Sequence, residues 1–403
     1  MQKSRQCCIF RIYHIFNHIK QVYSSYKNRN KTQYDIQKKH VIQKKSYLCP
    51  SKSSNHMKVI VDDKIPFIRE ALAGIADEAV YVPGKDFTPE LVRDADALII
   101  RTRTRCDRHL LEGSRVRFIA TATIGFDHID TIYCQEAGIT WQNAPGCNSA
   151  SVAQYMRSSL LLLEQQKGFR LEGKTLGVIG VGNVGTKVAQ VGRELGMRVL
   201  LNDPPRQEKE GGDLFSPLEQ LMEECDVLTF HVPLIREGAH KTFHLADADF
   251  FSHLKRRPVI ANTSRGEVIE TEALLHALQE GQVSDAVIDV WENEPAINLD
   301  LLDRVFIGTP HIAGYSADGK ANATRMSLDA LCRFFHIDAR YRIEPPAPAQ
   351  PLIEAHNPTE AYLAMYDPRR DDQALRLHPE RFEQLRGDYP LRREQGAFQV
   401  KYI

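Results

Sequence analysis

The residues of this 403-residue chain that could do chemistry fall late and far apart. His311 sits in TPHIAGYS (Thr309 to Ser316), Glu294 in DVWENEP and Arg265 in NTSRGEV. A single histidine is more often structural than reactive, but an imidazole with one ring nitrogen held by a carboxylate has a fixed tautomer, which suits proton transfer. His311 is therefore the candidate acid/base and Glu294 the group that orients it. Arg265 carries a planar fork that can grip a substrate carboxylate and the neighbouring carbonyl oxygen, although an arginine before glycine also fits an exposed turn.

A second constellation lies upstream. Gly180, Gly182 and Gly185 form GxGxxG directly after the strand pattern TLGVI and directly before the helix pattern TKVAQVGRELG. Glycines at that spacing permit a tight turn and let backbone amides, with the helix dipole behind them, approach a pyrophosphate. Asn183 and Val184 sit in the same turn, and Val232, Thr263 and Gly314 stand in later strand-end segments that could line the cofactor's path. Asp203 follows Gly185 by eighteen residues at the end of RVLLND, where a carboxylate accepts from ribose hydroxyls and repels a 2′-phosphate. The expected cofactor is NAD, with FAD or an adenylate as the competing nucleotides.

The elements that must position these groups are legible as alternation. From Met57 to about Ala150, short β-branched runs (KVIVDD, ADALIIRT, VRFIATAT, GITWQNAP) alternate with helical spacing, which predicts a parallel sheet. SASVAQYMRSSLLLLEQQKG reads as a helix capped by its serines and crossing between domains. A second series runs from KTLGVIGVGNVG through RVFIGTPH, so that Arg265, Asp289, Glu294 and His311 are expected on loops leaving one edge of one sheet. ADGKANATRMSLDALCRFFH reads as a helix returning to the first sheet, and EPPAPAQP (Glu344 to Pro351) as a linker that cannot hold a helix. The fold class is thus α/β, with two doubly wound parallel-sheet domains and a small C-terminal unit. The boundaries are a leader at 1–56, a discontinuous first domain at 57–150 and 310–336, a Rossmann-type nucleotide domain at 151–309, and a tail at 337–403.

Composition narrows the function classes. The formal charge of zero conceals a leader with twelve Lys and Arg against one acid, Asp35. That segment could be a nucleic-acid arm, a transit peptide or an upstream stretch without a role, and Met57 reads as the natural start. Eight cysteines without CxxC pairs or regular spacing argue for reduced thiols in a cytoplasmic protein rather than a zinc site or a disulfide framework, and no metal is expected. No apolar run reaches membrane-spanning length, so neither a membrane nor a nucleic acid is expected as a partner. In IIRTRTRCD, Arg101, Arg103 and Arg105 alternate and would share one side of an extended segment, which suggests an anionic group on the substrate beyond its carboxylate.

Taken together, GxGxxG with Asp203, NTSRG, DVWENEP and TPHIAGYS resemble the D-isomer-specific 2-hydroxyacid dehydrogenases from about Met57 to His336. The resemblance implies that His311 takes the proton of the substrate 2-hydroxyl while hydride leaves C2, that Arg265 binds the carboxylate, and that Glu294 supports His311. It implies further that Asp289 contacts the nicotinamide carboxamide, that His231 lines its path, and that Thr102, Thr123 and Tyr315 touch substrate. Further stretches, among them TATIGFDHID, NAPGCNSASV, YDPRRDD and LRGDYPLRRE, are similar to a branch of the family that acts on a phosphorylated hydroxy acid and forms a homodimer through an α+β tail. Two alternatives stay open: a dehydrogenase of another phosphorylated 2-hydroxy acid, and a non-catalytic NAD sensor on the same fold.

Overall fold

A computed structural model describes residues 56–403, and the expectations placed on the leader, Cys7, Cys8 and Cys49 lie outside the described residues. Five strands, β1 (Lys58–Asp62), β2 (Glu78–Val82), β3 (Ala97–Ile100), β4 (Phe118–Thr121) and β5 (Thr140–Gln142), form a parallel sheet in the order β2-β1-β3-β4-β5. Six more, β6 (Thr175–Ile179), β7 (Arg198–Asn202), β8 (Val227–Phe230), β9 (Val259–Asn262), β10 (Asp285–Ile288) and β11 (Ile307–Gly308), form a second parallel sheet in the order β11-β10-β9-β8-β6-β7. In both sheets the order reverses between the first and third strands. Parallel sheets of this kind bind ligands outside the carboxyl ends at that reversal. In the second sheet this is where β6 runs into the glycine loop and β8 into His231.

The central strands are buried from end to end, as strands covered by helices on both faces must be. Two 19-residue helices tie the sheets together. The first, Ser149–Lys167, is buried along most of its length. Its serines do not cap it, contrary to expectation: Asn148 occupies the N-cap without a side-chain bond, and Ser151 lies inside the helix and donates to the Ala313 carbonyl at 2.9 Å. The close packing of that helix against the His311 loop, absent from any local signal, claimed the hydroxyl. The second, Ala317–Phe335, returns to the first sheet, where Ala321, Leu328 and Leu331 share a core with Val59, Ile99 and Phe118, and Phe334 stacks on Phe118 at 5.0 Å between centroids.

Beyond Pro351 a parallel pair, β12 (Leu352–Ala355) and β13 (Gln399–Tyr402), frames three short helices, Pro358–Met365, Arg369–Leu377 and Phe382–Gly387. Two of their core residues, Leu375 and Phe382, belong to the apolar core of the second sheet, and Arg376 donates to the carbonyls of Leu302 and Val305. The tail therefore grows onto the second sheet at the end where β11 leads to His311. Among the described residues, no helix is long and apolar enough to cross a membrane, no His/Cys/Asp/Glu cluster has metal-binding geometry, and five cysteines are buried thiols.

Leu331 is fully buried between the returning helix and the first sheet. Leu331→Ala leaves a cavity there, with an expected loss of about 2–5 kcal/mol measured by denaturant unfolding. A loss under about 1 kcal/mol would show that this helix does not hold the first sheet's core.

Candidate active site

The nucleotide cradle is built by sterics. Gly180 leaves β6 with φ +86°, and a Cβ there would lie 2.7 Å from the His231 carbonyl oxygen. A Cβ on Gly185 would stand 1.9 Å from the Gly180 carbonyl oxygen, so the turn and the helix Asn183–Glu194 can touch only through hydrogens. Gly182, the N-cap of that helix, faces open space instead. No atom of the described residues, its own chain neighbours aside, lies within 4 Å of where a Cβ on Gly182 would sit, so the start of the helix is left uncovered there, and the residues fit NAD's pyrophosphate. Val232 packs its Cγ1 over Gly180, and Val184 packs against the core, as a cofactor-lining pair would. The Asn183 side chain lies against Gly146 of the first domain's last loop, so its contribution to the cradle is its backbone.

Asp203 ends β7 as expected. One carboxylate oxygen accepts from the Val181 amide at 2.8 Å, and the other caps the next helix through the Arg206 amide at 3.1 Å. The carboxylate is thereby fixed beside the glycine loop. Arg206, the nearest cation, is committed to Glu210 through two hydrogen bonds of 2.7 and 2.8 Å, leaving it poorly disposed to receive a 2′-phosphate.

Arg265, Glu294 and His311 leave the carboxyl ends of neighbouring strands in one sheet, as the sequence pattern predicts. The Nδ1 of His311 meets Glu294 Oε2 at 2.8 Å. Glu294 Oε1 accepts from the Trp291 amide at 2.9 Å, which aims the carboxylate. Burial alone would raise the Glu294 pKa, but the hydrogen bond and charge of His311 hold it below the ordinary carboxylate value. Nδ1 being taken, Nε2 is the ring atom left for a substrate. Arg265 donates to its own neighbour's carbonyl, Ser264, at 2.8 Å, while its other terminal nitrogen lies 3.1 Å from where a Cβ on Gly125 would sit. Gly125 thus lets the first domain close over the guanidinium.

The structure adds detail to two expectations and corrects a third. Asp289 is directed into the His311 loop: its oxygens accept from Thr309 Oγ1 at 2.6 Å, the Ile312 amide at 2.8 Å and the Ala313 amide at 3.0 Å. Burial raises its pKa, partly offset by the His311 charge and these donors. Its visible work is to shape the loop, a role invisible to a reading that placed it only on a strand end. Next, the segment after β3 is a turn and not extended, so Arg101, Arg103 and Arg105 do not share a side. Arg103 pairs with Glu383 and Arg105 with Asp107, both at 3.1 Å, whereas Arg101 is half-buried without a carboxylate partner among the described residues. Last, Thr102 lies exposed in that turn and makes no side-chain hydrogen bond among the described residues.

The other expected positions lie on loops that follow the carboxyl ends of the strands. Thr123 Oγ1 donates to the Gly125 carbonyl at 2.8 Å and meets Thr121 Oγ1 at 2.6 Å. Thr263 and Thr229 flank the His231 ring at 3.2 and 2.9 Å, and burial drives the His231 pKa down to about 3, so that ring is neutral near pH 7. Gly314 lets the His311 loop pass Asn148, whose Nδ2 would stand 2.1 Å from an added Cβ. Tyr315 accepts a hydrogen bond from Arg386 of the C-terminal unit at 3.0 Å. Arg386 escaped sequence reasoning: LRGDYPLRRE was legible as distinctive, but its place beside Glu294 follows from docking of the tail.

Comparison with known proteins agrees with this geometry. Residues 149–313 match the family model of the D-isomer specific 2-hydroxyacid dehydrogenase NAD binding domain, and residues 349–402 match a domain of unknown function. A D-lactate dehydrogenase from Aquifex aeolicus, solved with NAD and lactic acid, superposes with TM-score 0.56 at 28% identity, covering 69% of this chain and 95% of that one. An NAD+-bound 3-phosphoglycerate dehydrogenase from Entamoeba histolytica gives TM-score 0.58 at 28% identity, covering 71% and 98%. The chain belongs to the D-isomer-specific 2-hydroxyacid dehydrogenase family and is an NAD-dependent enzyme. Within it, a relative in Bacteroides fragilis, 69% identical over 85% of this chain and 99% of its own length, is named erythronate-4-phosphate dehydrogenase. So is one in Porphyromonas gingivalis, 43% identical over 85% and 95%.

Asp203→Ala removes the carboxylate expected to face the cofactor's ribose. The ratio of kcat/KM for NAD to that for NADP is expected to fall by about 10-fold or more, read from initial rates with each cofactor. An unchanged ratio would remove Asp203 from cofactor selection.

Proposed function

We propose that this chain oxidises 4-phospho-D-erythronate to 2-oxo-3-hydroxy-4-phosphobutanoate on the route to pyridoxal 5′-phosphate, acting in the cytoplasm. The observation that carries the chemistry is the His311–Glu294 pair at 2.8 Å, on the same sheet edge as Arg265. The relatives named above carry the choice of substrate.

NAD, when bound over Gly180, Gly182 and Gly185 with its ribose at Asp203, supplies the hydride acceptor. Arg265 grips the substrate carboxylate and polarises the carbonyl oxygen forming at C2. His311 takes the 2-hydroxyl proton on Nε2, and the ionised Glu294 stabilises the imidazolium that results. Thr123, Tyr315 and Thr102 supply hydroxyls to the substrate. Asp289 holds the loop, and in this reading it also takes the carboxamide role the family suggests. In this reading residues 57–150 and 310–336 receive the substrate, 151–309 the cofactor, and 337–403 join two copies of the chain.

Exposed Leu352, Val400, Tyr402 and Ile403 support that last point, since they crowd onto the two-stranded sheet of the C-terminal unit. A dimer is expected in sedimentation equilibrium, and Val400→Asp with Tyr402→Asp is expected to shift it towards monomer; an unshifted dimer would place the interface elsewhere.

The reaction is tested by NADH appearance at 340 nm with 4-phospho-D-erythronate and 3-phosphoglycerate offered separately. Higher kcat/KM for the erythronate is expected, and preference for the glycerate would replace this reading with the other phosphorylated acid. His311→Ala is expected to lower kcat by about 10²-fold or more. A near-wild-type rate at saturating substrate would remove the acid/base role.

A further inference from the structure

The crevice holds three cations that the reaction above does not use. Lys320 stands in the first turn of the helix Ala317–Phe335, half-buried, with Nζ 5.4 Å from the centroid of the Tyr315 ring. Arg386, from the C-terminal unit, lies on the same ring with its Cζ 5.8 Å from the centroid, and its Nε donates to the Tyr315 hydroxyl at 3.0 Å. Arg101 follows β3 in the first sheet, and its charge is near enough to lower the Lys320 pKa further than burial already does. Two separate segments of the chain thus bring positive charge to one aromatic ring, and a third brings Arg101 near Lys320.

Their counter-charge is incomplete. Among the described residues neither Lys320 nor Arg101 has a carboxylate within 4.0 Å, and Arg101 reaches only the Lys64 carbonyl, at 3.4 Å. The nearest carboxylates to Arg386 are Glu294 at 3.9 Å and Glu383 at 4.0 Å, both beyond hydrogen-bond distance. The neighbouring Arg103 and Arg105 are satisfied by Glu383 and Asp107, so among the described residues Lys320 and Arg101 are left without a carboxylate and Arg386 with two at the edge of ion-pair range. Half-burying like charges without a partner is unfavourable unless an anion completes the site.

We propose that Lys320, Arg101 and Arg386 bind the phosphate of the substrate, with Tyr315 as the floor of the site. This rests on the proposed reaction and names the part of it that selects a phosphorylated acid. Arg386 lies beside Glu294, whose other neighbour is His311, so a phosphate held here shares a crevice with the group that takes the hydroxyl proton. One carbon, C3, separates C2 from the phosphorylated C4, a span that places both ends of the substrate within this one crevice. The C-terminal unit is then part of the active site as well as a dimerisation unit, because without Arg386 the site has only two of its cations.

The test compares kcat/KM for 4-phospho-D-erythronate with that for D-erythronate in the full chain and in Lys320→Met. The ratio is expected to fall about 10- to 100-fold, the worth of a charged hydrogen bond, with Lys320→Arg retaining most of it. A ratio within about threefold of the unsubstituted protein would overturn the proposal. Inorganic phosphate titrated calorimetrically in the presence of NAD provides a second arm: binding is expected in the unsubstituted chain, loss in Lys320→Met and weakening in Arg386→Gln. Binding that survives in Lys320→Met, or no binding to the unsubstituted chain in the millimolar range, would also overturn it. Phosphate binding that depends on Lys320, without turnover of 4-phospho-D-erythronate, would support the site and sink the proposed reaction. Turnover with an unchanged ratio in Lys320→Met would do the reverse.

Discussion

The active end of this molecule depends on one buried carboxylate. Asp289 gathers the Thr309 hydroxyl and the amides of Ile312 and Ala313, and through them it bends the chain so that His311 adopts φ +56°. A non-glycine residue in that region is strained by Cβ contacts and persists only where its surroundings over-determine it. Here they do: the His311 amide also donates to the Asp289 carbonyl at 2.7 Å, and Trp291 Nε1 donates to the Thr309 carbonyl at 3.0 Å. The imidazole is thereby delivered to Glu294, and the His311–Glu294 pair becomes a consequence of how a loop is held.

The same loop is where the three parts of the chain meet. Ser151 of the connecting helix donates to the Ala313 carbonyl, and so does Arg392 of the tail, which also reaches Ser151. Arg392 is buried, lies with its Cζ 4.1 Å from the centroid of the Tyr366 ring, and keeps company with Asp371, whose carboxylate accepts from Tyr366 and Tyr389 at 2.8 Å each. Removing one partner of such a buried charged network costs far more than the network adds, because the other partners are left desolvated and unpaired. The tail is fastened to the reactive loop by groups that cannot be released singly.

Much of this was legible without coordinates where the physics is local. Glycine positions announce themselves because only a missing Cβ fits, as the 1.9 Å approach at Gly185 illustrates. Strand ends announce themselves by the change from buried β-branched residues to polar turns, which put Arg265, Glu294 and His311 on one edge. The segment RTRTR misled because alternation has meaning only in an extended chain, and the backbone turns there before it can alternate. The serines of SASVAQ misled for a related reason, since a hydroxyl caps a helix only when no stronger contact claims it.

The sequence by itself determined the two parallel sheets, the glycine turn that opens the helix after β6, the carboxylate at the end of β7 and the placing of Arg265, Glu294 and His311 on one sheet edge, because each follows from short-range periodicity or from steric demands within a single βα unit. Only the tertiary structure decided that Asp289 serves the His311 loop, that Arg103 and Arg105 are neutralised while Arg101 is not, and that Arg386 joins Tyr315 and Lys320 across separate segments. Those are facts about charges meeting across long sequence separations, and Coulomb attraction and desolvation depend on distance in space, for which a linear order of residues holds no measure.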